Sequence, residues 1–260
     1  MTYPAAAIIP AAGFGTRMRR DQPKQYLLLA GEPILVHTVR AFAANIHIDA
    51  IVVVVPAELL EESRDLLARH GVTHPNLQFT AGGRRRQDSV RAGMAMLGSG
   101  IDIILVHDGA RPLVSQDIIN RCFESAVAGG AAIAAVPVKD TLKRADDLAR
   151  VKTTVDRTSL WQAQTPQAIR RDLLEIAYQN NGDADVTDES SLLEKAEIQV
   201  SLVIRPPFLG RCPSAVLGQP GLEQHVGKLF FVGRRGLIGS RLARVPGHRI
   251  GGRGRGLRLF

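Results

Sequence analysis

Apolar and polar residues fall along the first two hundred positions in blocks that read as strand, helix, strand, helix. The run AAAIIP (5–10) is short and apolar throughout, the pattern of a strand buried on both faces. PILVHTVRAFAA (33–44) carries apolar residues at helical spacing, with Pro33 suited to a first turn. DAIVVVVP (49–56) is a β-branched strand, and AELLEESRDLLARHG (57–71) is an amphipathic helix closed by Gly71. The same reasoning predicts a short strand at 77–80, a helix at 86–97, a buried strand at 102–108 and a helix at 115–130 capped by Ser115. A strand at 131–138, helices at 166–181 and 187–196 and a last strand at 197–203 complete the series. Strand–helix repetition predicts an α/β fold: a mostly parallel, doubly wound (Rossmann-like) sheet, covered on both faces, with its site at the carboxyl ends of the strands.

Two segments break the rhythm. Between 139 and 161 polar and apolar residues alternate around a polar turn near 145–148. This predicts a projecting β-arm (about 138–160) with 141–144 against 152–155. A lone two-stranded arm is marginal in water, so it is expected to pack on another surface, that of a second subunit in a homodimer. After Val203 no periodicity persists, and twelve of the 25 glycines lie in 210–256. The chain is therefore expected to hold one domain over 1–203 and an atypical basic Gly/Arg-rich tail over 204–260, disordered or translated out of frame from GC-rich DNA.

Composition changes this picture little, and charge changes it more. At 45% hydrophobic and 22% charged residues the 260-residue chain is ordinary for a globular protein. The net charge of +8 belongs to the tail: residues 205–260 carry eleven Lys or Arg against one acid, leaving the body slightly acidic. Such a tail attracts nucleic acid non-specifically, but no aromatic reading surface accompanies it. The apolar runs are too short to span a membrane and the amino end lacks a basic leader, so no membrane partner and a cytoplasmic location are expected. The two cysteines, Cys122 and Cys212, have no metal-type spacing and argue against a disulfide scaffold or a zinc site.

The chemistry concentrates in IIPAAGFGTRMRRDQPKQYL (8–27), where a glycine turn follows a strand and Arg17, Arg19, Arg20 and Lys24 follow the turn. It is neither a dinucleotide fingerprint, which needs glycine where Met18 stands, nor a Walker A loop, which ends in Gly-Lys-Ser/Thr. Main-chain N–H groups of such a turn can surround phosphate oxygens, and Arg17 and Lys24 can neutralise charge that builds during transfer. A solvated basic loop is the plainer reading, and it suits Arg19 and Arg20. GGRRRQDSVRAG (82–93) is a second glycine turn entering a helix, with Ser89 offering a hydroxyl to a base or ribose; an ordinary helix start is the alternative. HDGARP (107–112) ends a buried strand and places Asp108 and Arg111 in one turn, able to hold a sugar hydroxyl, a metal-bound phosphate or each other. His107 reads as a packed side chain. Thr141, Arg157 and Thr165 lie on or beside the arm and serve a partner's site if the arm crosses a dimer; otherwise they are surface polar groups.

In order, AAGFGTRM, PKQY, GGRRRQDSV, HDGARP, a DT-bearing arm, TVDR, TPQ and VTDESS resemble the 2-C-methyl-D-erythritol 4-phosphate cytidylyltransferases, from about Ile8 to Val203. The resemblance implies transfer of CMP from CTP to the sugar phosphate with release of pyrophosphate, and a divalent ion, usually Mg²⁺. It implies CTP contacts at Ala11, Ala12, Gly13, Gly15, Gly83, Ser89 and Asp108 and transition-state stabilisation by Arg17 and Lys24. It assigns sugar-phosphate contacts to Asp108, Arg111, Thr141, Arg157 and Thr165, with Arg157 aiming the attacking phosphate. Mg²⁺ is expected on the CTP phosphates, with Asp108 the candidate protein ligand. The family's closing segment, resembling N-I-K-[VI]-T-x-P-E-D-L with a phosphate-placing lysine, does not follow Val203. That departure keeps two alternatives: a sister cytidylyltransferase with another polyol phosphate such as ribitol phosphate, and an impaired protein that binds CTP without turnover.

Overall fold

The computed structural model describes residues 3–13, 23–181 and 185–205. The basic tail after Arg205 therefore lies outside the described residues, as do Gly15 and Arg17. Strand β1 (Ala5–Pro10) opens the chain, followed by a two-stranded β2–β3 ribbon (Leu28–Leu29, Glu32–Pro33) and helix α1 (Ile34–Ala43). Then come β4 (Ile48–Val55), α2 (Leu60–Arg69), β5 (Leu77–Ala81), α3 (Arg86–Ala95), β6 (Ile103–Val106), α4 (Gln116–Gly129) and β7 (Ala131–Pro137). The hairpin β8 (Leu142–Ala145) and β9 (Val151–Val155) precedes β10 (Trp161–Arg170), α5 (Arg171–Asn181), α6 (Glu189–Lys195) and β11 (Ser201–Ile204).

Seven strands form the main sheet in the order β11-β7-β10-β6-β1-β4-β5. All neighbours run parallel except β10, which lies antiparallel to both β6 and β7. Alternation along β1 divides the core: Ala5, Ala7 and Ile9 face the cluster closed by α1, α2 and α4, while Ala6 and Ile8 face the cluster closed by α3, α5 and α6. Helices on both faces explain the apolar runs of β1, of β4 from Ala50 onward and of β6, which are buried on both faces.

The helix expected over 166–181 is corrected. Its first residues belong to β10, and the helix begins at Arg171. Strand and helix meet at Arg170–Arg171 with no glycine or proline between them, so the 3.6-residue pattern of α5 continues back over PQAI. Pro166 reads as a helix start, yet it sits where the β10–β7 register shifts, between Ala163 and Gln167; there its missing N–H costs no ladder bond. The last strand also moves, from 197–203 to Ser201–Ile204. The arm forms as expected: β8 and β9 pair only with each other, and Leu148 and Val151 are exposed.

Candidate active site

The first glycine turn is built by the end of β1. Ala11 N–H donates to the Val54 carbonyl at 2.7 Å, extending the ladder one residue past Pro10 before the chain leaves the sheet. The buried Gln25 amide then clamps the turn, donating to the carbonyls of Ala11 (2.5 Å) and Gly13 (3.4 Å). Gln25 lies in the short 3-10 turn Lys24–Tyr26, whose Tyr26 hydroxyl bonds Ser63 on α2 at 2.7 Å. Lys24 is thus an exposed cation on an anchored turn.

The β5–α3 loop comes from the other side. A Cβ on Gly82 would fall 2.3 Å from the Ala12 Cβ and 2.8 Å from Ser89 Oγ, so only glycine allows this approach. Ser89 Oγ accepts the Gly83 N–H at 3.2 Å, and Asp88 caps α3 by accepting from the Arg85 N–H (3.0 Å) and guanidinium (2.8 Å). The loop is fixed with the amino end of α3 beside the first glycine turn, and helix starts of this kind favour anions.

Asp108 closes the third side, at the end of β6. Its Oδ1 accepts Arg86 Nε at 3.2 Å and its Oδ2 accepts Arg111 Nε at 2.8 Å. Burial would raise the Asp108 pKa, but Arg86 and Arg111 outweigh it and hold the carboxyl below its ordinary range. Arg86 in turn donates through Nη1 to both oxygens of Glu189, at 2.8 and 2.6 Å. Burial opposes the Arg86 charge, yet Glu189 and Asp108 keep this guanidinium more firmly protonated than usual. Glu189 is 1% exposed; burial pushes its carboxyl pKa up while Arg86 opposes the shift. His107 is fully buried and neutral, pushed down to about 4 by burial, and its Nε2 bonds the Arg111 carbonyl at 3.0 Å.

These pieces enclose a cavity of about 270 Å³ lined by Ala11, Ala12, Gly13, Lys24, Gly83 and Arg84–Arg86, with Ser89 and Asp108 opposite. Seven of the residues expected at the CTP and phosphate positions therefore share one cavity. Arg111 reaches it through Asp108 and also bonds Gln164 on β10. Thr165 is buried in the irregular part of β10, its hydroxyl lacking a hydrogen-bond partner among the described residues. Thr141 and Arg157 are exposed on or beside the arm, and the Arg157 guanidinium donates to the Lys139 carbonyl. The sequence reading missed Gln25, Gly82, Arg86 and Glu189. Gln25 lay within the quoted PKQY motif, Gly82 and Arg86 within GGRRRQDSV and Glu189 within VTDESS, but Glu189 is 103 positions from Arg86 and no local pattern links them.

Main-chain amides and cations gathered in a cavity at the carboxyl ends of a mostly parallel sheet are the arrangement by which α/β folds bind nucleotides and phosphates. Comparison with known proteins narrows that class. The family model "IspD: 2-C-methyl-D-erythritol 4-phosphate cytidylyltransferase" matches residues 5–205, and the chain belongs to this family. It is 55% identical over 199 residues to the bifunctional enzyme IspD/IspF of Desulfotalea psychrophila, covering 76% of this chain but 50% of that enzyme. The chain thus spans half the length of that relative. It is 41% identical over 199 residues to the 2-C-methyl-D-erythritol 4-phosphate cytidylyltransferase of Syntrophus aciditrophicus, covering 76% of this chain and 85% of the relative. The crystal structure of 4-diphosphocytidyl-2C-methyl-D-erythritol synthase from Anaerococcus prevotii superposes with a TM-score of 0.71 at 26% identity, covering 90% of this chain and 97% of that one. Among the described residues no helix is long and apolar enough to cross a membrane.

Proposed function

We propose that this chain transfers CMP from CTP to 2-C-methyl-D-erythritol 4-phosphate, forming 4-diphosphocytidyl-2-C-methyl-D-erythritol and pyrophosphate in the cytoplasm. The observation that carries the reading is the shared cavity of the Ala11–Gly13 turn, Gly83, Ser89, Lys24 and Asp108, within a family that the sequence match identifies. An oxygen of the acceptor phosphate attacks the α-phosphorus of CTP; the bond to the bridging oxygen breaks, and pyrophosphate leaves with the electron pair. The nucleophile is already an anion, so no proton has to be taken from it. A buried, neutral His107 suits such a reaction, since it does not line the cavity. Catalysis then rests on holding two anions together and spreading the transition-state charge. The glycine-turn amides and the start of α3 hold CTP phosphates, Lys24 and Arg17 neutralise the developing charge, and Arg111, Thr141, Arg157 and Thr165 hold the acceptor.

Magnesium fits the donor set in a limited way. Among the described residues no cluster of three His, Cys, Asp or Glu side chains could hold a metal, and Asp108 is the only carboxylate lining the cavity. Mg²⁺ keeps water and phosphate ligands and needs only one or two carboxylates, so Asp108 would be its protein ligand and the nucleotide would supply the rest. When bound it neutralises phosphate charge. We further assign Arg157 and Thr141 to the site of a partner subunit, which makes the arm a dimer contact. We assign residues 1–203, with strand β11 running on to Ile204, to the catalytic domain and read the basic sequence beyond the family match, which ends at residue 205, as out of frame.

Incubation of the purified chain with CTP, Mg²⁺ and methylerythritol phosphate tests the central reading. Stoichiometric pyrophosphate and the diphosphocytidyl product are expected, and CTP binding without pyrophosphate would overturn it. Resequencing codons 195–215 tests the tail: a confirmed, uninterrupted frame sinks the frame-change assignment.

A further inference from the structure

We propose that Glu189 is a positioning residue of this site, acting on Asp108 through the Arg86 guanidinium; the inference rests on the cytidylyl-transfer reading above. A continuous chain of charge-assisted bonds runs Glu189–Arg86–Asp108–Arg111–Gln164 across the site, alternating anion and cation along its first four members. It ties the start of α6 to the start of α3, the end of β6 and the irregular stretch of β10.

Stability alone does not call for this arrangement. Removing a carboxylate and a guanidinium from water is costly, and well-packed apolar residues commonly do as well or better in such places. What a buried carboxylate does supply is a fixed direction for its cation. Glu189 is itself immobilised. Its neighbour Asp188 caps α6 by accepting the Ser191 N–H at 3.0 Å, and Gln167 on β10 donates to Asp188 at 2.9 Å while accepting the Ser190 N–H at 3.2 Å. The anchor therefore sits on the sheet, and Arg86 is the arm that carries its position to the cavity wall.

The consequence is directional. With Glu189 ionised, Arg86 divides its donors between two carboxylates, and Asp108 stays shared with Arg111. With a neutral side chain at 189, the Arg86 charge turns wholly onto Asp108 and draws it from Arg111. The side of the site expected to hold the sugar phosphate is disturbed, while the glycine turns around CTP are untouched.

Glu189→Gln keeps the shape and removes the charge. It is expected to lower kcat with methylerythritol phosphate by about 10- to 100-fold, the scale of a small misplacement of reacting groups, with KM for CTP within about threefold. In an Asp108→Asn background the same change is expected to cost less than about twofold, because an effect routed through Asp108 cannot be lost twice. Additive losses would assign Glu189 a role in the fold alone and overturn the proposal. If the wild-type chain releases no pyrophosphate, the functional reading fails by itself. Crystal structures of ligand-free wild type and Glu189→Gln then decide the positioning role: displacement of Asp108 from Arg111 supports it, and an unchanged Asp108–Arg111 pair overturns it. Should Glu189→Gln not fold, Arg86→Lys, which keeps the charge but loses the branched donor set, takes its place in the same cycle and the same structural comparison.

Discussion

The two halves of the candidate site are made in different ways. The half around the glycine turns is assembled by the sheet: β6, β1, β4 and β5 are successive parallel strands, Gln25 clamps one turn, Gly82 presses the next against it, and Asp108 is gripped by two guanidiniums. The half that carries Thr141 and Arg157 hangs on a hairpin whose strands pair only with each other and whose apolar residues Leu148 and Val151 face outward. One half is preorganised by folding of a single chain; the other is held only by the pairing of its own two strands and, on the dimer reading proposed above, lies on a partner. Preorganised charges act in a transition state without reorganising, so the rigid half should carry the charge stabilisation and the arm the capture of the acceptor.

Four measurements sharpen or break that contrast. Lys24→Ala should lower kcat by at least about two orders of magnitude with modest change in CTP affinity, as for other charge-stabilising groups; near-normal turnover in a pyrophosphate-release assay would remove Lys24 from catalysis. His107 tests how far the rigid half underpins the fold. It titrates near 6.5 when unfolded and about 4 when folded, so between those pH values the unfolded chain binds more protons. The stability it contributes is complete above pH 6.5 and drains away as pH falls toward 4, by roughly 3 kcal/mol. His107→Gln should flatten the stability profile across that window in urea melts, and an unaltered slope would show that other groups set it. Gly82→Ala forces a Cβ onto Ala12 and should cost about 1–3 kcal/mol, read as a lowered Tm, with weaker CTP binding by calorimetry. Arg157→Ala, by contrast, should leave Tm unchanged. Mixing it with Lys24→Ala at equal ratio should restore about a quarter of wild-type activity, because half the dimers then hold one intact composite site. No recovery on mixing would confine each site to its own chain.

Much of this fold is legible in the sequence. β1, β4, β6 and β7 are apolar, bounded and too short for helices, and the glycine turns announce themselves after strands. What escaped was non-local. β10 has neither strict alternation nor a terminator before α5, because both of its faces are buried over residues 165–169 and the helix follows at once. Glu189 looks like any acid in the first turn of a helix, where a solvated carboxylate is favourable. Only the fold brings Arg86 to it. Gln25 likewise gains its meaning from two carbonyls twelve and fourteen residues upstream.

The placement of β10 has a bearing on how the chain comes to be made. β6 and β7 follow each other closely in sequence, yet they are not neighbours; the strand that joins them is translated only after the whole arm. Until residues 161–170 emerge from the ribosome, two apolar strands present open edges with nothing to zip them together. Nascent chains stalled just short of Trp161 should therefore recruit chaperones strongly, and release past Arg170 should let the two parts of the sheet close in one late step.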